Sequence, residues 1–303
     1  MIDQDFIKNK VKELLKIEIS EIIPINEGVM NFTFLIKTTT KDLIIKINPK
    51  GRDEIALKES KVINLCRSCD IKVPVLLHQH TAIDCFDYSF IIYEKLNGST
   101  LSRCYDSLST KRKQIVIEEI IENFTKISSI KLYGSGDSND LVNFSSINWY
   151  VFLKEGVDKS LNFIRSNGIL NHEQIIRLNE FINGYLLKIN RENTNLVWSD
   201  FDPSNIIVDS RGKLSGFIDF EGVLGGDSNL SLGYLYAKSG HTALSNNLIN
   251  SLNVPKEDIE FYAVIRYLRL IRYSKFPLPT GIKRDNINNY LPCANELIQK
   301  ILL

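Results

Sequence analysis

The chain has 303 residues, 44% of them apolar and 24% charged, with a formal net charge of +1. These proportions are ordinary for a globular protein, and the length supports a large core and suggests two domains. Near-neutral charge excludes a whole-protein field for nucleic acid or anionic membranes, no apolar run approaches a membrane span, and Met1-Ile2-Asp3-Gln4-Asp5 lacks the basic start of a signal peptide, so a cytoplasmic protein binding neither nucleic acid nor membrane is expected.

Asp3 is placed to cap a first helix whose apolar side carries Phe6, Ile7, Val11, Leu14 and Leu15. The run from Ile22 to Lys37 reads as two strands joined at a turn on Gly28. Such a hairpin can lay backbone N–H groups over phosphates, with Gly28 and Asn31 as its candidate nucleotide-binding residues. One glycine is a weak signal, and an ordinary hairpin accounts for it equally well. Leu43 to Ile47 forms a third strand. Lys46, inside so apolar a strand, needs a partner or a phosphate if it faces inward. Glu59 follows on a helix that also carries Ile55, Val62, Ile63 and Leu65. A Lys46–Glu59 ion pair would fix the ammonium against the α- and β-phosphates, with Glu54 the competing partner.

After Val73-Pro74 two further strand-like runs end in Phe90 to Gly98, where apolar residues give way to a polar crossover containing a glycine. Positions 93–98 read as a hinge between lobes. Tyr93, Glu94 and Leu96 are its candidate adenine-binding residues, acting through backbone groups of about 94–96.

Lys111 to Ile130 carries a helix-period stripe of Ile117, Ile120, Ile121, Phe124 and Ile127. A loop rich in Gly, Ser, Asp and Asn follows at 134–140, then two helical stretches at about 145–166 and 172–190. A final helix starts near Lys256 and includes Phe261, Val264, Ile265, Leu268 and Ile271. Its Arg266, Arg269 and Arg272 share a face. They read most simply as solvated or paired with acids such as Glu257 and Glu260, and more sharply as a pocket wall for an anionic or phosphorylated acceptor.

Other chemistry finds little support. Five cysteines, an odd number, fit a reducing compartment better than a disulfide framework. Cys66 and Cys69 form the one C-x-x-C and lack a second ligand pair for zinc. His78 and His80 would share one face of a strand without an obvious third ligand, and no G-x-S-x-G anchors a hydrolase triad.

Residues 196–220 are the most informative segment. Ile206-Ile207-Val208 and the apolar end of Leu214 to Ile218 are short strands around the turn residues Asp209 to Lys213. Centred on Gly212, the hairpin pairs residues whose numbers sum to 424, so Asn205 faces Asp219. Directly opposed residues lie about 4.5–5.5 Å apart at Cα, close enough for an amide oxygen and a carboxylate to share a magnesium ion. Asp200, five residues before Asn205 on a turn set by Asp202-Pro203, reaches the same cluster. Singly these are ordinary turn residues. Jointly they match the D-x-x-x-x-N and later metal-binding Asp of phosphoryl-transfer enzymes.

On these motifs the chain resembles the aminoglycoside phosphotransferase family, relatives of choline kinases and of the protein-kinase fold. The resemblance implies an α+β, bilobal, protein-kinase-like fold. An N-terminal lobe of antiparallel sheet (1–96) would bind the nucleotide, and a larger, mainly helical C-terminal lobe (97–303) would bind the acceptor. By the same resemblance Asp200 is the catalytic residue that orients the acceptor hydroxyl, Asn205 and Asp219 are magnesium ligands, and Lys46 with Glu59 clamps the phosphates of ATP or GTP. Gly225-Gly226-Asp227 resembles the Gly-Asp motif that braces the C-terminal lobe.

Three features depart from the family pattern. Trp198-Ser199 stand where His-Gly precedes the catalytic Asp, and the tryptophan can support the loop by filling volume. Ser231 replaces an Asp near the start of the next helix, which a serine can still cap. Gly28 is the single glycine of the nucleotide loop. The resemblance points to a small hydroxylated substrate, foremost an aminoglycoside-like antibiotic, and hence to antibiotic resistance. Lys131, Lys154, Lys159, Arg165 and Arg177 nearly balance the acids of the helical insert, so no acidic trap for a polycation stands out. A metabolic small-alcohol kinase and a nucleotide-binding pseudokinase are the alternatives, and the oligomeric state is open.

Overall fold

The computed structural model describes residues 4–25, 31–81, 88–273 and 287–303. Gly28 and the expected helix cap Asp3 lie outside the described residues. The N-terminal region runs α1 (Gln4–Leu15), β1 (Ile19–Ile25), β2 (Phe32–Thr38), β3 (Leu43–Ile47), α2 (Asp53–Ser68), β4 (Leu76–His80) and β5 (Phe90–Glu94). The strands form one antiparallel sheet in the order β1-β2-β3-β5-β4.

Central strand β3 is buried on both faces, which explains its unbroken apolar reading. Leu43, Ile45 and Ile47 pack with Ile7 and Val11 of α1 and with Phe90 and Ile92. Alternation turns Ile44 to the opposite face, against Ala56, Val62 and Ile63 of α2. Lys46 shares that second face by the same alternation. Phe6, expected on the buried side of α1, is 39% exposed, while Ile7 and Val11 carry the contact. His78 and His80 of β4 both lie against the Phe90 ring.

Beyond Glu94 the chain changes sheets. Lys95 N–H still donates to Asp42 O (2.9 Å), whereas β6 (Ser99–Thr100) pairs with a strand of the next region. Gly98 makes this possible: its φ is +119°, and a Cβ there would lie 2.0 Å from Val208 O. There follow α3 (Leu101–Cys104), α4 (Thr110–Ser129), β7 (Ser135–Ser138), β8 (Phe144–Ser146), α5 (Trp149–Ser166), α6 (His172–Leu186), β9 (Asn195–Trp198), β10 (Ile206–Val208), β11 (Leu214–Phe217) and β12 (Val223–Gly226). The chain ends in α7 (Asn229–Ser239), α8 (Ala243–Ser251), α9 (Lys256–Tyr273), α10 (Ile287–Tyr290) and α11 (Pro292–Leu302). The small sheets are β11-β10-β6 and β8-β7-β12-β9. No helix among the described residues is long and apolar enough to cross a membrane.

The hairpin register differs from the expected one. Ile206 pairs with Phe217 and Ile207 with Gly216, then the register shifts and Val208 pairs with Leu214. Asp209 and Lys213 close the turn, with Asp209 N–H donating to Lys213 O (2.9 Å). A turn centred one residue earlier displaces the partner of Val208 by two residues, and a bulge at Ser215 restores one, so Ile206 and Ile207 are each displaced by one. Asn205 therefore meets Ile218, whose N–H donates to Asn205 O (3.0 Å), and Asp219 lies one residue beyond the pair.

Ser231 does not cap α7. It is the third residue of the helix and fully buried, and its Oγ finds no hydrogen-bond partner. The first turn is held instead by Asp227, which accepts from Asn229 N–H (3.0 Å) and from Tyr262 Oη (2.9 Å). Tyr262 in turn accepts from Trp149 Nε1 (3.0 Å), so the Gly-Asp segment is tied to both α5 and α9.

Candidate active site

Lys46 lies among three carboxylates. Its Nζ is 2.9 Å from Glu59 Oε2, 2.6 Å from Asp219 Oδ1 and 3.4 Å from Glu221 Oε2. Glu54, the competing partner, is exposed on α2. Burial works against the Lys46 charge, yet Asp219, Glu59 and Glu221 together hold the ammonium well above its usual range. Glu59 shows the converse. Burial, aided by Asp219 and Glu221 and opposed by Lys46, pushes its carboxyl up to about 7. Glu59 Oε1 also accepts from Phe220 N–H (3.3 Å), tying α2 to the segment after β11.

Glu221 was not anticipated from the sequence. Asn31 donates to it at 2.6 Å, Asn48 supports Asn31 at 2.8 Å, and Arg52 approaches it at 3.9 Å. Its signal was a second acid two residues after Asp219. Two consecutive polar turns could equally have sent the carboxylates apart, and the β1–β2 residue Asn31 draws Glu221 inward.

The loop before β10 is braced by the residues that depart from the family pattern. Trp198 is fully buried against Phe201, Phe217 and Phe220, and its Nε1 donates to Asp219 O (3.0 Å). Ser199 Oγ donates to Gly222 O (2.5 Å). Gly222 leaves room for this arrangement, because a Cβ there would lie 2.9 Å from Asp200 Oδ2. Asn205 Nδ2 donates to Asp200 O (3.0 Å), which leaves its Oδ1 as the atom for a cation. Asp219 has φ +68°, a left-handed conformation costing roughly 1–3 kcal/mol in a non-glycine residue and held here by the contacts on both its carbonyl and its carboxylate.

Arg266 Nη2 lies 3.9 Å from Asp200 Oδ1. Burial raises the Asp200 carboxyl above its ordinary range, Arg266 opposes this, and Asp219 and Glu221 add to it. The Arg266 guanidinium also lies 4.4 Å over the Tyr234 ring. Arg266 was foreseen as a face of α9, but not as the neighbour of Asp200.

A cleft of about 640 Å³ runs between the sheet and the helical region, lined among others by Asn31, Lys46, Tyr93, Leu96, Asn205 and Asp219. Six expected residues from four distant segments thus share one cavity. Glu94 is not among its lining residues: its N–H donates to Val75 O (3.0 Å) and its carboxylate pairs with Lys41 (2.7 Å). A second cavity of about 280 Å³ lies between α5, α7 and α9.

The donor atoms suit a hard cation. Oxygens of Glu59, Asp219 and Glu221 lie within 4.8 Å of one another, and Asn205 lines the cleft together with Asp219. An all-oxygen set of carboxylates and an amide fits magnesium bound together with phosphates.

A family model described as phosphotransferase enzyme family matches residues 21–228. No curated protein sequence matches the chain. Among solved structures, a thermostable mutant of the aminoglycoside phosphotransferase APH(4)-Ia, in ternary complex with AMP-PNP and hygromycin B, is similar with a TM-score of 0.75 at 15% identity, over 98% of this chain and 97% of that one. The streptomycin–ATP–APH(2")-IIa ternary complex gives 0.68 at 19% identity over 100% of both chains. A putative fructosamine-3-kinase from Haemophilus somnus 129PT gives 0.65 at 15% identity, over 98% and 97%. At such identities these likenesses show a shared kinase-like fold.

Proposed function

Because the chain belongs to the phosphotransferase enzyme family and is a small-molecule kinase, we propose that it moves the γ-phosphoryl group of ATP or GTP to a hydroxyl of its acceptor, with Asp200 aiming that hydroxyl. The observation that carries this reading is the convergence of Lys46, Asn205 and Asp219 on one cleft, with Asp200 on the loop that Asn205 ties down.

Each residue has a separate task. Lys46, steadied by Glu59, exchanges its Asp219 contact for phosphate oxygens. Asn205 Oδ1 and the Asp219 carboxylate would hold magnesium, with Glu221 to assist them. When bound, that ion offsets charge on the β- and γ-phosphates. Asp200 orients the acceptor oxygen and takes its proton late, since positioning outweighs deprotonation in a loose transition state. Asn31, Tyr93 and Leu96 border the nucleotide, and backbone groups at 94–96 would meet adenine. The division near residue 96 and a hinge at 93–98 belong to the same reading, supported by the change of sheet between Glu94 and Ser99.

The neighbours' complexes with hygromycin B and streptomycin support an aminoglycoside-like acceptor. A metabolic kinase for a small alcohol is the second reading, in keeping with the near-balance of acids and bases in the helical insert. A panel of hydroxylated acceptors with MgATP and MgGTP, read by product mass, tests the reaction. One acceptor that gains a phosphoryl group supports it. Magnesium-dependent stabilisation by nucleotide, without product from any acceptor, would make the chain a pseudokinase.

A further inference from the structure

Two aspartates of the loop before β10 face two cations, and one of these pairs is closed while the other is open. Asp202 Oδ2 is 2.8 Å from Lys238 Nζ, within the range of a charge-assisted hydrogen bond. Asp200 Oδ1 stands 3.9 Å from Arg266 Nη2, about 1 Å beyond that range. Helix α7 supports both cations. Tyr234 and Lys238 lie four residues apart and so share one face of it. Lys238 makes its contact directly, whereas the Tyr234 ring carries the Arg266 guanidinium at 4.4 Å and fixes its plane.

The open pair leaves Arg266 with unmet hydrogen-bonding capacity. Its side chain is 19% exposed, and its N–H groups find no hydrogen-bond acceptor among the described residues. A guanidinium holds five donors in a rigid fork, and a largely buried polar group is ordinarily hydrogen-bonded. An anionic oxygen arriving beside Asp200 would meet that fork, which suits phosphate geometry. The gap also serves Asp200: a closed pair would occupy the carboxylate that has to take the acceptor's proton, and the open one leaves it accessible.

We propose that Arg266 is a second catalytic residue, whose guanidinium donates to the outer oxygens of the phosphoryl group as it passes from nucleotide to acceptor. The inference rests on the phosphotransfer reading and adds a residue to it. In the step, the acceptor oxygen bonds to the γ-phosphorus, the bond from that phosphorus to the bridging oxygen breaks, and the nucleoside diphosphate leaves with the electron pair. The hydroxyl proton passes to Asp200. Arg266 keeps its own protons throughout and offsets the charge spread over the three outer oxygens, a task that an arginine supplied by the same chain can perform.

The test needs no identified acceptor, because water can stand in for one. Phosphate release from MgATP and MgGTP by the full chain is measured beside thermal stabilisation by MgADP and MgGDP, each with and without aluminium fluoride, which mimics the phosphoryl group in transfer. The nucleoside diphosphate should stabilise R266Q as it does the wild type, which also shows that the variant is folded. Aluminium fluoride should add further stabilisation to the wild type and little to R266Q. Phosphate release by R266Q should fall by about 10- to 100-fold, the scale of one or two charge-assisted hydrogen bonds. R266K, which keeps the charge without the fork, should recover part of both losses. Undiminished aluminium fluoride stabilisation of R266Q, none in the wild type, or loss of nucleotide binding in R266Q and R266K alike overturns the role of Arg266. A raised acceptor KM at unchanged kcat in R266Q also overturns it and places the arginine on the acceptor instead. Transfer by the wild type to any acceptor keeps the phosphotransfer reading in all these cases. A wild type that neither releases phosphate nor transfers it to any acceptor ends that reading and the inference with it.

Discussion

On the nucleotide side of the cleft, one buried lysine stands among three carboxylates. On the side of α9, one aspartate faces an arginine at 3.9 Å. The first arrangement carries excess negative charge that a magnesium nucleotide would share, with Asp219 among the residues that would hold the ion and Lys46 placed to meet phosphate. The second sets one carboxylate beside one guanidinium, an arrangement without the surplus of acids found around Lys46. The contrast teaches that the two sides are written in different places. On the proposed reading the reaction is carried by closely spaced residues around one hairpin, whereas the neighbour of Asp200, Arg266, comes from a helix far away in the chain.

Several substitutions would break or sharpen that contrast. The largest effect is expected from Asp200→Asn, which should lower kcat by about 10²- to 10⁴-fold, the usual contribution of such a group. Steady-state rates at saturating nucleotide would measure it, and near-wild-type turnover would remove Asp200 from the chemistry. Trp198→Ala strikes both sides together, because Trp198 packs under the Asp200 loop and holds Asp219 O. A loss of about 3–5 kcal/mol is expected for a buried tryptophan, measurable by denaturant unfolding. A loss below about 1 kcal/mol would mean that the loop is braced by other contacts.

Lys46→Met should weaken nucleotide binding by about 10- to 100-fold, as expected for a lost charge-assisted hydrogen bond. Acceptor KM at saturating nucleotide should barely move. Comparable changes in both constants would show that the two sides are not separable.

The smallest effect concerns pH. Burial raises Glu59 from its ordinary 4.5 to about 7, so the folded chain keeps a proton that the unfolded chain has lost. Its contribution to stability therefore falls as pH rises between about 4.5 and 7 and is level outside that window. The melting-temperature difference between wild type and Glu59→Gln should shift against the wild type across that window. Parallel curves would contradict the assignment.

Much of this was legible in the sequence, for identifiable reasons. Lys46 in an unbroken apolar strand implied an inward charge, because β3 is covered on both faces and a buried ammonium requires a partner. Helix α4 was legible from its apolar stripe, and its bounds, Thr110–Ser129, differ by one residue at each end from the expected span. The hairpin register was missed by one residue, since a bulge at Ser215 leaves no distinctive residue type. Ser231 was misjudged because a serine near a helix start looks like a cap, whereas Asp227 and Tyr262 already hold that turn. Glu221 and Arg266 owe their roles to Asn31 and Asp200. Those partners lie 190 and 66 positions away in the chain, and local spacing carries no trace of them.

The central claim is that two nearby acids divide the work, Asp219 serving the nucleotide and Asp200 the acceptor. Calorimetric titration of Mg·AMP-PNP into Asp200→Asn and Asp219→Ala, side by side with wild type, tests it most directly. Asp200→Asn should bind the nucleotide as wild type does, and Asp219→Ala should lose magnesium-dependent binding. Equal losses in both variants, or unimpaired binding by Asp219→Ala, would contradict the division.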